Sequence, residues 1–146
     1  LLQKKPESVI AERPPIMLIL VHLLLMIAAS LCLLAGVSIA MFGREKRTWL
    51  RRHKNLNTAG FGLLAAGVVM VFAGIFLSGG DHLAGIHQRL GAIAVMLAFL
   101  TVLLGYDSLK AANKKIVRAA HRWSGRLTLT VMVPTLALGL SMIGIL

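Results

Sequence analysis

The chain has 146 residues, 58% of them hydrophobic and only 14% charged, with a formal net charge of +11. A soluble domain carries roughly a quarter charged residues, so this composition excludes an ordinary soluble fold. The positive charge is gathered between apolar runs, with no aromatic-interleaved basic surface on which bases could stack, which excludes nucleic acid as a partner.

Four apolar segments follow in chain order. Span A is expected over about residues 16–42, with Pro14 and Pro15 in its first turn, where a missing backbone donor costs little. Span B is expected over about 58–77, closed by the turn signal Ser78-Gly79-Gly80. Span C is expected over about 83–106, and span D over about 126–146 with a helical lead-in from Val117. Crossing roughly 30 Å of hydrocarbon takes about 20 apolar residues in a helix. Open sheet edges are not tolerated in lipid, and these runs are too long and uniformly apolar for barrel strands. The expected fold is therefore an all-α membrane protein, a four-helix transmembrane bundle over residues 15–146. Residues 1–14 form an N-terminal arm. Cys32, the single cysteine, lies within span A and reads as a small packing residue. The chain begins at Leu1 and ends in an apolar run at Leu146, as a subunit or core of something larger would.

Charge sets the expected orientation. Arg44, Lys46, Arg47, Arg51, Arg52 and Lys54 lie between A and B, and Lys110, Lys114, Lys115, Arg118 and Arg122 between C and D, with Arg126 at the start of D. The B–C connection has only Arg89, against Asp81. Cytoplasmic loops retain Lys and Arg, so A–B and C–D should face the cytoplasm of a multi-pass membrane protein, a bacterial inner membrane being the expected setting. Both termini and the arm are then outside. Trp49, Tyr106 and Trp123 fall at the expected interfaces, and the basic loops suit anionic lipid.

Five histidines carry the chemistry: His22, His53, His82, His87 and His121. Four stand one per span, near the N-terminal end of each helix. Successive helices run in opposite directions, so the starts of A and C share one side of the membrane and those of B and D the other. His22 can then face His87, and His53 can face His121. A planar haem between helices takes one axial imidazole from each side, and bundle cores commonly house such cofactors. Ionisable groups within a membrane are costly and mark functional sites. Interhelical hydrogen bonding is the competing role for any single histidine. Four of them, one per helix and two to a side, favour ligation. His82 reads as a surface residue of the B–C turn. Arg51, Arg52, Lys54, Arg122 and Arg126 on one side and Arg89 on the other are placed to meet haem propionates. Positive-inside retention accounts for most of these cations, but not for Arg89.

Three stretches resemble the cytochrome b561 family, the eukaryotic-type dihaem membrane proteins. Arg51-Arg52-His53-Lys54-Asn55-Leu56-Asn57 looks like its basic stretch around the second core histidine. Ala84-Gly85-Ile86-His87-Gln88-Arg89-Leu90-Gly91 is similar to its Leu-His-Ser-Trp-x-Gly motif. Arg118-Ala119-Ala120-His121-Arg122-Trp123-Ser124-Gly125 looks like its His-x-x-x-Gly segment. The resemblance covers about residues 16–146. It implies two haems b, with iron held by His22 and His87 on the outer side and by His53 and His121 on the cytoplasmic side. Electrons from cytoplasmic ascorbate or a similar donor would reach an outer acceptor such as monodehydroascorbate or ferric iron. The resemblance covers the four core helices and not the family's two peripheral ones. Gln88-Arg89 replaces Ser-Trp, and Phe42-Gly43-Arg44 replaces an ascorbate-associated Tyr-Arg pattern.

The leading expectation is transmembrane electron transfer through two bis-histidine haems, as a b561-like cytochrome or as a cytochrome subunit with further protein partners. Ascorbate- or quinol-linked oxidoreductase activity would accompany it. Two other classes compete: a non-redox scaffold or assembly subunit, and a pigment-binding accessory subunit in which one histidine serves each tetrapyrrole. A metal transporter fits poorly, since the spans lack the acidic residues that accompany cation paths.

Overall fold

The computed structural model describes residues 16–145. Among them lie four helices: α1 (Ile16–Phe42), α2 (Trp49–Leu77), α3 (Ile86–Lys110) and α4 (Lys114–Met142). Each is long and apolar enough to cross a membrane, and the protein is an integral, multi-pass, all-α membrane protein. The N-terminal arm lies outside the described residues.

The bounds of α1 agree with span A. The other three correct the sequence reading. α2 begins nine residues before span B, α3 runs Ile86–Lys110 rather than 83–106, and α4 starts at Lys114 and ends at Met142. Arg51, Arg52, Lys54, Lys114 and Lys115 thus belong to helices rather than to connections, and the helical lead-in expected from Val117 is the first part of α4. Apolarity marks only the part of a helix inside hydrocarbon. Arg and Lys are good helix formers, and the backbone keeps its hydrogen bonds as it enters the headgroup layer. The 29 residues of α2 or α4 span about 44 Å at 1.5 Å per residue, well beyond the hydrocarbon thickness.

Local chemistry fixes the ends. The side chain of Asn113 accepts from the Ile116 amide at 3.3 Å, capping α4. After α2 the chain turns at Gly79, whose φ of +65° suits a residue without a Cβ. Pro134 lies inside α4, which nonetheless continues to Met142.

α1 packs along α2, and α3 along α4, as two antiparallel hairpins; contacts between the hairpins are sparse. Small residues allow the close approach within a hairpin. At Gly60 an added Cβ would come within 3.1 Å of the Ala29 carbonyl. The buried core is slight and made mainly of small side chains, with Ala29, Leu64 and Ala98 at its centre. Large apolar residues such as Leu24, Leu31, Phe76 and Met96 face outward, as a lipid environment allows. α3 and α4 are also joined by hydroxyls. Thr101 Oγ1 lies 2.6 Å from Ser124 Oγ and 3.1 Å from Thr128 Oγ1. Replacing Thr128 with the near-isosteric valine should cost about 0.6–2 kcal/mol. The check is thermal unfolding in detergent, with a lowered midpoint and unchanged cofactor content expected.

Candidate functional site

Each helix carries its histidine near its start, and each imidazole is held by the backbone of the neighbouring helix in the same hairpin. His22 Nδ1 lies 3.0 Å from the Gly67 carbonyl, and His53 Nδ1 lies 2.8 Å from the Gly36 carbonyl. In the second hairpin His87 Nδ1 is 3.0 Å from the Thr135 carbonyl, and His121 Nδ1 is 2.9 Å from the Thr101 carbonyl. A carbonyl only accepts, so Nδ1 carries the proton in all four rings. Nε2 is then the nitrogen with a free lone pair, the tautomer a metal ligand needs.

The four bonds share one register. Gly36, Gly67, Thr101 and Thr135 each stand 14 residues after the histidine of their own helix. In an antiparallel hairpin this makes the bonds reciprocal: each helix orients its neighbour's histidine at the level where its own is not. Fourteen residues rise about 21 Å, so the histidines occupy two levels about 21 Å apart. Centred in roughly 30 Å of hydrocarbon, both levels lie just inside its boundaries.

Across the gap between hairpins the rings meet in pairs. His22 and His87 have centroids 6.5 Å apart with planes at 90°. His53 and His121 have centroids 6.1 Å apart with planes at 89°. An imidazole nitrogen sits about 2.0 Å from a bound metal and about 1.1 Å from its own ring centre, so two imidazoles on opposite sides of one iron have centroids about 6.2 Å apart. Both pairs match that spacing. No cluster of three or more His, Cys, Asp or Glu exists among the described residues that could hold a metal ion. Two ligands per site suit a metal whose other positions come from a macrocycle.

Glycines make room for the rings of the second hairpin. A Cβ at Gly105 would lie 3.1 Å from His121 Cε1, and one at Gly139 would lie 2.9 Å from His87 Cε1. Each of these glycines is four residues beyond the accepting carbonyl, one helical turn along the same face.

The other sequence-selected residues fall as follows. Arg89 is exposed and its Nε donates to the Leu83 carbonyl at 2.9 Å, leaving the two terminal nitrogens to other partners. Leu83 has a φ of 61°, so this bond steadies a strained turn. Lys54 Nζ stands 5.3 Å from the Tyr106 ring centre, and the Arg126 guanidinium 5.1 Å from that of Trp123, both cation–π contacts. The structure therefore places Lys54 and Arg126 on aromatic residues, Lys54 in the second turn of α2 and Arg126 one turn past His121 toward the middle of α4. His82 is exposed in the α2–α3 turn and stacks on Phe72, with centroids 4.9 Å apart, away from both pairs. Sequence reasoning missed three features. Trp49 stands 6.3 Å from His53, centroid to centroid. Asn57 reaches both His53 and Gly36. Gln88 Oε1 is buried with no hydrogen-bond partner. The one-turn intervals from Trp49 to His53 and from His53 to Asn57 were the usable signals.

A four-helix membrane bundle that offers two facing imidazole pairs, one toward each membrane face, is the scaffold of a haem-bearing electron carrier. The chain belongs to the cytochrome b561 family, since the model of that family, described as eukaryotic cytochrome b561, matches residues 15–145. No curated protein and no solved structure matches the chain. Membership brings haem b as the family's cofactor and electron transfer across the membrane as its function.

Proposed function

We propose that this chain binds two haems b, one between His22 and His87 and one between His53 and His121, and passes electrons between them across the membrane. The observation that carries this reading is the joint geometry of the four imidazoles: ring pairs at 6.5 and 6.1 Å, with every Nδ1 committed to a carbonyl. A scaffold role would leave that fourfold register without a purpose, and a single-ligand pigment site would leave the pairing without one.

Each bound haem supplies a one-electron iron couple. The chain does the rest. Backbone carbonyls fix the tautomer and orientation of each ligand and raise its basicity. Both imidazoles of a pair would be committed to the haem they hold, which would keep small molecules from the iron, so donor and acceptor would dock at the two faces. Between the levels, Ala29, Leu64 and Ala98 with Phe61 and Val95 keep the interior dry. Arg89 on one side and Lys54 and Arg126 on the other would pair with propionates, and Gln88 Oε1 would accept from a donor at the edge of its site. The basic ends of α2 and α4 face the cytoplasm by the positive-inside rule, with both termini outside. Their charge suits an anionic donor, ascorbate- or quinol-linked, or an acidic redox protein, delivering electrons toward an outer acceptor.

The test is a dithionite-reduced minus air-oxidised spectrum with haem quantified per chain. Sharp low-spin b-type bands at about two haems per chain are expected. A featureless spectrum from folded protein supplied with haem throughout expression and purification would overturn the reading.

A further inference from the structure

Four residues beyond each histidine, one turn along the same helix face, stand Met26, Asn57, Gly91 and Gly125. Only Asn57 is polar. In the first hairpin these residues occupy equivalent places. The Met26 methyl covers Gly67, which accepts from His22, and the Asn57 amide covers Gly36, which accepts from His53. Neither glycine could carry a Cβ without displacing that neighbour. One level therefore has a thioether beside its accepting carbonyl, and the other has an amide.

The orientation of that amide is determined. Asn57 Nδ2 donates to the His53 main-chain carbonyl at 2.7 Å, which a flipped amide would meet with oxygen against oxygen. The NH2 group therefore lies 3.1 Å from His53 Nδ1. Nδ1 is itself a donor to Gly36, so the two do not bond. Instead the positive end of the amide dipole sits beside the ring. No side chain lies within hydrogen-bond distance of Nδ1 in the other three histidines among the described residues.

We propose that Asn57 is a positioning residue that sets the two haems apart, raising the reduction potential of the one held by His53 and His121. This rests on the proposed function above. An imidazole that gives its Nδ1 proton to a carbonyl becomes a stronger donor to iron and favours the ferric state. A fixed positive dipole beside the same ring acts the other way. The ferric haem with two neutral ligands carries one more positive charge than the ferrous, so the dipole disfavours oxidation. The level with Met26 lacks this effect.

The molecule supplies its own control, because methionine already packs over a glycine at the equivalent place. The experiment is an optical potentiometric titration of the purified full chain as wild type, Asn57→Met and Met26→Asn. The midpoints are assigned by the single haem that remains in His53→Ala. Asn57→Met should lower the midpoint of the His53/His121 haem and leave the other unmoved. Met26→Asn should raise the midpoint of the His22/His87 haem. A purely packing role moves neither. Two haems with unchanged midpoints in both variants would overturn the proposal. If Asn57→Met fails to hold its haem, Met26→Asn decides alone: a raised midpoint supports the role of the amide, and an unchanged one removes it. A wild-type chain without two haems would instead defeat the proposed function itself, which the same titration reveals before any variant is compared.

Discussion

Replacing His53 with alanine should remove one haem and leave the other, taking the content from about two per chain to about one. His121→Ala should give the same product with the same residual spectrum, because the rings of His53 and His121 face each other at 6.1 Å and would serve one site. The double variant His53→Ala/His121→Ala should then lose nothing more. His22→Ala/His53→Ala should lose both haems, since those histidines lie in different pairs although they share a hairpin. This pattern of equivalence separates the paired arrangement from one haem per histidine, in which each substitution would subtract independently. Stability should follow. The hairpins touch each other only sparsely, so a haem clasped between them would be a substantial part of what joins them. A ligand at a thousandfold excess over its dissociation constant stabilises the folded state by about 4 kcal/mol. Limited proteolysis in detergent should find His53→Ala more readily cleaved than wild type, and His22→Ala/His53→Ala more readily still. Equal haem content in wild type and His53→Ala would remove His53 as a ligand.

Gly139→Leu should abolish the other haem without touching either of its ligands. An added Cβ at this position would stand 2.9 Å from His87 Cε1, and the rest of a leucine would fill the space the ring occupies. The ring cannot retreat without giving up the bond from its Nδ1 to the Thr135 carbonyl, 3.0 Å long. It would lose both its orientation and its fixed tautomer, and metal sites typically lose 10–100-fold in affinity when such an outer partner is removed. Steric displacement adds to that, so the expected result is one haem per chain with the spectrum of His87→Ala. Gly62→Leu is the control. An added Cβ there meets nothing within 4 Å, and both haems should remain. Retention of two unperturbed haems in Gly139→Leu would mean that the ring of His87 is free to sit elsewhere.

Much of the fold was legible in the sequence because a membrane restricts the choices. Apolar runs of sufficient length must be helices, and the basic clusters and the Ser78-Gly79-Gly80 turn separate them. The ends were less legible. Hydropathy registers where hydrocarbon stops, whereas the helix stops where backbone bonding stops, so α2 and α4 begin among the cations that flank the apolar runs. The histidines were legible as a set, one per helix, and their order with alternating helix direction gave the pairing His22 with His87 and His53 with His121.

The sequence by itself determined that this is a four-helix membrane protein of the cytochrome b561 kind, with imidazoles toward both faces. These properties follow from residue type and order along one chain. Only the tertiary structure decided how each imidazole is held. The partners of Nδ1 are main-chain carbonyls of Gly36, Gly67, Thr101 and Thr135, and a carbonyl is present at every residue, so no letter in the sequence marks the ones that matter. They are selected by the register of two helices packed against each other. That same register makes Gly105 and Gly139 into notches for histidine rings and brings the Asn57 amide beside one imidazole alone.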